Sequence, residues 1–134
     1  MSINKDGNLN LDGSVTSAGT QLTSDIRLKK NILPLKNALN VLKQLNPVSY
    51  QKKLSLESND YSIKETGFIA QELEKVLPNL VHASEDKDHL LSVNYTAIIP
   101  ILTKGIQEQQ EEIENLKKEL QELKKLIQTK HKLK

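Results

Sequence analysis

The chain has 134 residues, 37% of them hydrophobic but only 3% aromatic, with no Trp and a single Phe. That suits one modest domain with appendages, too poor in large side chains for a big core unless subunit contacts bury more. The absence of cysteine excludes disulfides, thiolate zinc sites and cysteine nucleophiles, a net charge of +2 gives no footprint for nucleic acid, and no apolar run approaches the roughly 18 residues of a membrane span.

The N-terminus, MSINKDGNLN, lacks the apolar centre of a signal peptide. Residues 1–23 are polar and β-leaning. Asp6-Gly7 and Asp12-Gly13 are turn signals, and Leu9, Leu11 and Val15 alternate with small polar residues. Such a segment cannot bury enough surface to fold alone, so it reads as the last turns of something longer upstream.

The character changes at residue 24. Pro34 is placed to open a helix, and Leu35, Ala38, Leu39, Leu42 and Leu45 follow at helical spacing until Asn46-Pro47. Val48-Ser49-Tyr50 begins a strand, and residues 51–63 read as a polar loop or hairpin. A second helix spans Gly67 to Leu77, with Phe68, Ile69, Leu73, Val76 and Leu77 on one face and Pro78-Asn79 as its stop. Leu80-Val81-His82 and Leu91-Ser92-Val93 suit two strands around an acidic turn, Ser84 to Asp88. Leu39, Leu42, Phe68, Ile69, Leu73, Val76 and Ile98 are the expected core.

From Tyr95 the chain reads as one long helix. Ile99, Leu102, Ile106, Gln109, Ile113, Leu116, Leu120, Leu123 and Ile127 fall at alternating steps of three and four, with Ile at four of the five a positions. This is a coiled-coil seam. Pairs such as Glu114 and Lys118 add i,i+4 support. The alternative is a single amphipathic helix packed on a core, but only the narrow a/d stripe is apolar. Ile at a with Leu at d nominally favours two strands, while Gln109 at a d position sets register or oligomer state. Spacing alone leaves two and three strands open.

Three histidines, His82, His89 and His131, share no metal-ligand spacing. The acidic residues Glu85, Asp86 and Asp88 lack a calcium-loop pattern. No glycine loop for phosphate is present, and Glu is interleaved through the lysine-rich tail. The reading is therefore no metal, no cofactor, no nucleic acid and no membrane.

Ser24 and Lys29, within T-S-D-I-R-L-K-K, are a possible nucleophile and base. The lysine must be neutral to take the hydroxyl proton, and burial or nearby cations such as Arg27 and Lys30 favour that form. Five residues apart is one face of neither a helix nor a strand, so a turn must bring Lys29 onto Ser24. The plain alternative is Ser24 as a helix cap or turn former beside a solvated lysine.

Four blocks appear in order: S-D-I-R-L-K-K-N-I at 24–32, L-K-Q-L-N-P-V-S-Y at 42–50, G-F-I-A-Q-E-L-E-K-V-L-P at 67–78 and V-N-Y-T-A-I-I-P at 93–100. Followed by a coiled coil, the set resembles the C-terminal intramolecular chaperone domain of phage endosialidases and tail fibres, a serine–lysine self-cleaving family. A similar domain occurs in the myelin regulatory factor. The resemblance covers about residues 24–134. It implies an α+β fold: a small helix-and-strand domain followed by a long C-terminal helix forming a trimeric coiled coil. Residues 1–23 would be the end of a β-rich fibre stalk, 24–98 the chaperone domain and 99–134 the trimerisation helix.

The resemblance further implies an intramolecular chaperone that trimerises and assists folding of a tail fibre or spike, then cuts itself once. Ser24 would be the nucleophile, Lys29 the general base and Thr23–Ser24 the scissile bond. Gln71 and Glu72 fall in a signature block and either support the site or cap and brace their helix. The partners would be two further copies of the chain, as a homotrimer, and the upstream stalk in cis. The location would be the virion tail fibre or spike, the domain being made in the host cytoplasm and released after cleavage. A non-cleaving trimerisation module of a fibre or surface protein fits the same blocks. An adaptor recruiting a foreign helix fits less well, because the flanking charges are of mixed sign.

Overall fold

The computed structural model describes residues 24–85 and 87–134, together with the backbone of four two-residue strands within residues 1–23. The chain is α+β and falls into two compact units, residues 1–34 with 45–98, and residues 35–44 with 99–134.

In the first unit the N-terminal strands form two antiparallel pairs, β1 (Ser2–Ile3) with β2 (Leu9–Asn10) and β3 (Thr16–Ser17) with β4 (Thr20–Gln21). The turns expected at Asp6-Gly7 and Asp12-Gly13, with Leu11 and Val15, lie outside the described residues. The expected strand at Val48 runs to Lys52 as β5. It pairs antiparallel with β6 (Ile63–Gly67), Val48 opposite Gly67 and Tyr50 opposite Glu65. The segment read as a loop or hairpin is thus a hairpin, and its return strand takes Gly67.

That fixes where the next helix begins. Helix α2 covers Ala70–Val76, three residues later than the sequence spacing indicates, because Gly67 is spent in the ladder and Ile69 holds an extended backbone at the cap. Ile69, expected in the core, is consequently 39% exposed. Leu73 faces inward and is 2% exposed. Pro78 opens a 3₁₀ turn, Pro78–Leu80, whose fixed φ suits a first helical position. Strands β7 (Val81–Ala83) and β8 (Leu91–Val93) then pair antiparallel, with Val81 opposite Val93. Leu73, Leu80, Val81 and Ile98 are the buried apolar residues of this unit. The buried Asn94 joins them by accepting from the Ala97 amide and the Thr96 hydroxyl, and by donating its own amide to the Leu80 carbonyl.

The second unit pairs a five-residue helix, α1 (Ala38–Leu42), with α3 (Ile98–Lys132) beyond Ile98. The helix expected from Pro34 to Leu45 contracts to α1 because Asn37 adopts a left-handed backbone, φ 57°, which breaks the helical run before Ala38. Asn37 makes no side-chain cap. Its role passes to Glu108, whose carboxylate accepts the Leu39 amide at 2.8 Å. The amides of Leu39, Ala38 and Asn37, with Lys104 nearby, hold the Glu108 carboxyl below its usual value. A helix N-terminus favours an anion in this way. Gly105 is buried, and a Cβ there would meet Leu42 Cδ1, so glycine lets α1 approach.

The contact lies on one flank of α3. Gly105 and Glu108 are g and c positions of the heptad, so the a/d seam stays open. Ile99 is 60% exposed, Ile106 65% and Leu116 63%. No helix among the described residues is long and apolar enough to cross a membrane.

Candidate functional site

The segment 24–29 is built around a 3₁₀ turn, Ile26–Leu28, capped by Asp25. Aspartate is a strong N-cap because its oxygen reaches the free amides of the first turn. Here it accepts the Arg27 amide at 2.8 Å. The Leu28 amide donates to the Asp25 carbonyl and the Lys29 amide to that of Ile26. The chain folds back over this turn, and Lys29 Nζ donates to Ser24 Oγ at 2.7 Å. The turn that the five-residue spacing requires is therefore present, with Asp25 as its cap in place of Ser24.

Both side chains of the pair are exposed in the single chain. Their apolar neighbours are exposed as well: Ile26 and Leu28 are each 71% accessible and Leu33 82%. Arg27 closes back on Asp25 with Nε and Nη2 both at 2.9 Å from its carboxylate oxygens, a two-pronged charge-assisted contact. That guanidinium holds the Asp25 carboxyl below the usual range, with Lys29 adding a smaller pull in the same direction. Thr23 lies outside the described residues, as does Asp86 of the acidic turn.

Gln71 and Glu72 have separate surroundings. Glu72 sits in the first turn of α2 and its Oε2 accepts from Asn46 Nδ2 at 3.2 Å, which braces the entry to β5. Gln71 lines a surface cavity with Tyr50, Phe68, Ala70 and Tyr95. Among the described residues no hydrogen bond joins either to Ser24 or Lys29. No cluster of three or more potential metal ligands occurs among the described residues.

The structure adds a feature that spacing could not show. Three of the sequence blocks meet at the end of the β5–β6 hairpin. The Phe68 amide donates to the Tyr95 hydroxyl at 3.0 Å, and the two rings stack with centroids 6.1 Å apart. The Tyr50 hydroxyl donates to Glu65 Oε2 at 3.3 Å, and Lys52 reaches the same carboxylate. Partial burial, reinforced by Tyr95 and Glu65, pushes the Tyr50 phenol above its usual value. A Cβ on Gly67 would run into the Tyr95 hydroxyl and stand 3.1 Å from that of Tyr50. Tyr50, Gly67 and Tyr95 lie in three separate blocks of the sequence, and each fixes the next in space.

Comparison with known proteins follows the same blocks. Residues 24–82 match the peptidase S74 family, described as the chaperone of endosialidase. The long tail fiber protein Gp37 of Enterobacteria phage M1 and that of Enterobacteria phage Ox2 are each 39% identical over 75 residues. Those matches cover 55% of this chain and 30% of the relatives, so the chain spans under a third of their length. Gp37 of Escherichia phage AR1 is 39% identical over 67 residues, 48% of this chain and 6% of that protein. The resemblance is borne out over residues 24–82, which hold three of the four sequence blocks and match the chaperone-of-endosialidase family.

Proposed function

We propose that this chain is the assembly end of a phage tail fibre: an intramolecular chaperone that trimerises through α3, helps the upstream stalk to fold, and then cuts itself free between Thr23 and Ser24. The observation that carries the cleavage is the 2.7 Å contact between Lys29 Nζ and Ser24 Oγ. In the reaction Ser24 Oγ attacks the Thr23 carbonyl carbon while its proton passes to the neutral Lys29 amine. The C–N bond of Thr23–Ser24 breaks, and Lys29 returns the proton to the departing Ser24 amine. An ester then links Thr23 to Ser24 Oγ. Water hydrolyses it, restoring the Ser24 hydroxyl and leaving Thr23 as a free carboxylate. Each chain reacts once.

Two features support a trimer as the active form. The a/d seam of α3 is exposed along its length while α1 occupies the flank, which supports a seam partner from another chain. The apolar residues around the pair, Ile26, Leu28 and Leu33, are also uncovered. Their burial between subunits would drain water from Lys29 and favour its neutral form. Exposure of Ser24 and Lys29 in the single chain supports the second reading, a trimerisation module that never cuts.

Intact mass spectrometry on the chain expressed with a longer upstream stalk separates the two. A fragment beginning at Ser24, lost in both Ser24→Ala and Lys29→Ala, is the expected result. A single uncut mass in the parent chain would remove the protease reading and leave the trimerisation module.

A further inference from the structure

We propose that Arg27 and Asp25 form a clamp that positions Lys29 for cleavage and keeps the Asp25 carboxylate from capturing it. This rests on the self-cleavage reading above and names the residues that make the serine–lysine pair competent.

The argument starts from what holds the 24–29 turn. A 3₁₀ turn has poorer hydrogen-bond geometry than an α-helix and so gains little from its own backbone bonds. Packing among the described residues gives this one little help, since Ile26 and Leu28 are each 71% exposed. What remains is polar. Asp25 caps the turn through the Arg27 amide, and the Arg27 side chain grips both carboxylate oxygens of Asp25. The carboxylate is thus tied to residue 27 by backbone and side chain together. The turn so fixed delivers Lys29 to Ser24.

The second consequence is electrostatic. Asp25 follows the nucleophile directly, and its carboxylate is within electrostatic reach of the Lys29 amine. A free carboxylate there would pair with the ammonium form and hold the proton that the reaction needs removed. With both oxygens engaged by the guanidinium, Asp25 is compensated. The charged residues that flank Lys29 in this segment are Asp25, Arg27 and Lys30, and the first two are paired with each other. Arginine suits the task better than lysine because its planar fork matches both oxygens at once and it does not lose its own proton.

The test uses the full fibre chain with its stalk. The first-order rate of Ser24 fragment formation is followed against pH for the parent, Arg27→Ala, Arg27→Lys and Asp25→Asn. In parallel, acylation of the Lys29 amine against pH is read by mass spectrometry in the Ser24→Ala background. Arg27→Ala is expected to slow cleavage about tenfold at pH 7, with the acidic limb of the profile moved up by about one pH unit, within the range that an unshielded opposite charge imposes. Arg27→Lys recovers part of that shift. Asp25→Asn, which keeps an oxygen for the cap, moves the limb the other way. Arg27 has an 85% exposed side chain, so its loss removes no packing, and sedimentation checks that the variants assemble as the parent does. Superimposable rate and acylation profiles for parent and Arg27→Ala would overturn the clamp. A parent that never cuts, while the acylation profile still shifts in Arg27→Ala, would leave the clamp standing and remove the cleavage reading beneath it.

Discussion

Replacing Leu116 with Asn tests whether α3 finds its partner in further copies of the same chain. Leu116 is a d position and is 63% exposed in the single chain. Burying a whole leucine side chain is worth about 1.5–3 kcal/mol, so covering the exposed part contributes about 1–2 kcal/mol per chain. Three copies meet at one layer of a trimer, which brings the layer to about 3–6 kcal/mol. At about 1.4 kcal/mol per decade, Leu116→Asn is expected to weaken association by roughly two to four orders of magnitude, before any cost of the buried amide. Sedimentation equilibrium across a concentration series reads this directly. Lys118→Asn, at an f position on the outer side of the seam, is the matched control and should leave association unchanged. A parent chain that sediments as a monomer at micromolar concentration, or a Leu116→Asn chain indistinguishable from it, would refute the reasoning.

Further predictions concern the two units separately. Leu73→Ala empties the most buried position of the first unit, 2% exposed; a loss of about 2–5 kcal/mol is expected, measured by denaturant unfolding. Gly105→Val places branched carbons where Leu42 sits, an overpacking cost of about 1–3 kcal/mol, and amide exchange should show α1 released while α3 remains helical. The Glu108 carboxyl is held below its usual value by the amides of α1. Its contribution is present above the ordinary glutamate value of about 4.3 and is lost as pH falls through the lowered one. Protection of the Leu39 amide should therefore fall at acid pH in the parent, and the fall should be absent in Glu108→Ala, where protection is low throughout. Gly67→Ala should break the Phe68–Tyr95 hydrogen bond, seen as a change in Tyr95 fluorescence and a lower melting temperature.

How legible these features were depended on how local their causes are. The seam of α3 is written in a run of Ile and Leu at fixed intervals, and the helix follows it from Ile98 to Lys132. The pairs β5–β6 and β7–β8 were also readable, although β6, I-K-E-T-G, carries one large apolar residue and gave only a hairpin signal. Helix α1 came out shorter than its leucine spacing indicated because Asn37 turns left-handed and the missing cap is supplied from Glu108, a cause that lies 69 residues away. The serine–lysine spacing announced the need for a turn, but the cap was Asp25, one residue after the serine to which a capping role could be given. The meeting of Tyr50, Gly67 and Tyr95 was out of reach of any spacing argument, since it depends on hairpin register and on how the chain returns through β8.

The bond between the Leu39 amide and Glu108 bears on the order in which the chain is made. A five-residue helix has almost no stability of its own in water, and α1 lacks a cap from its own neighbours. Its carboxylate partner leaves the ribosome 69 residues later, roughly 3–14 s at ordinary rates of synthesis. Through that interval α1 lacks both its Glu108 cap and the surface at Gly105 on which Leu42 packs. The Leu39 cap closes only once the chain has been made past Glu108, so a product terminated before that residue is left without it. Under the proposed assembly role, this contact ties the closing of α1 to synthesis of the chain beyond Glu108.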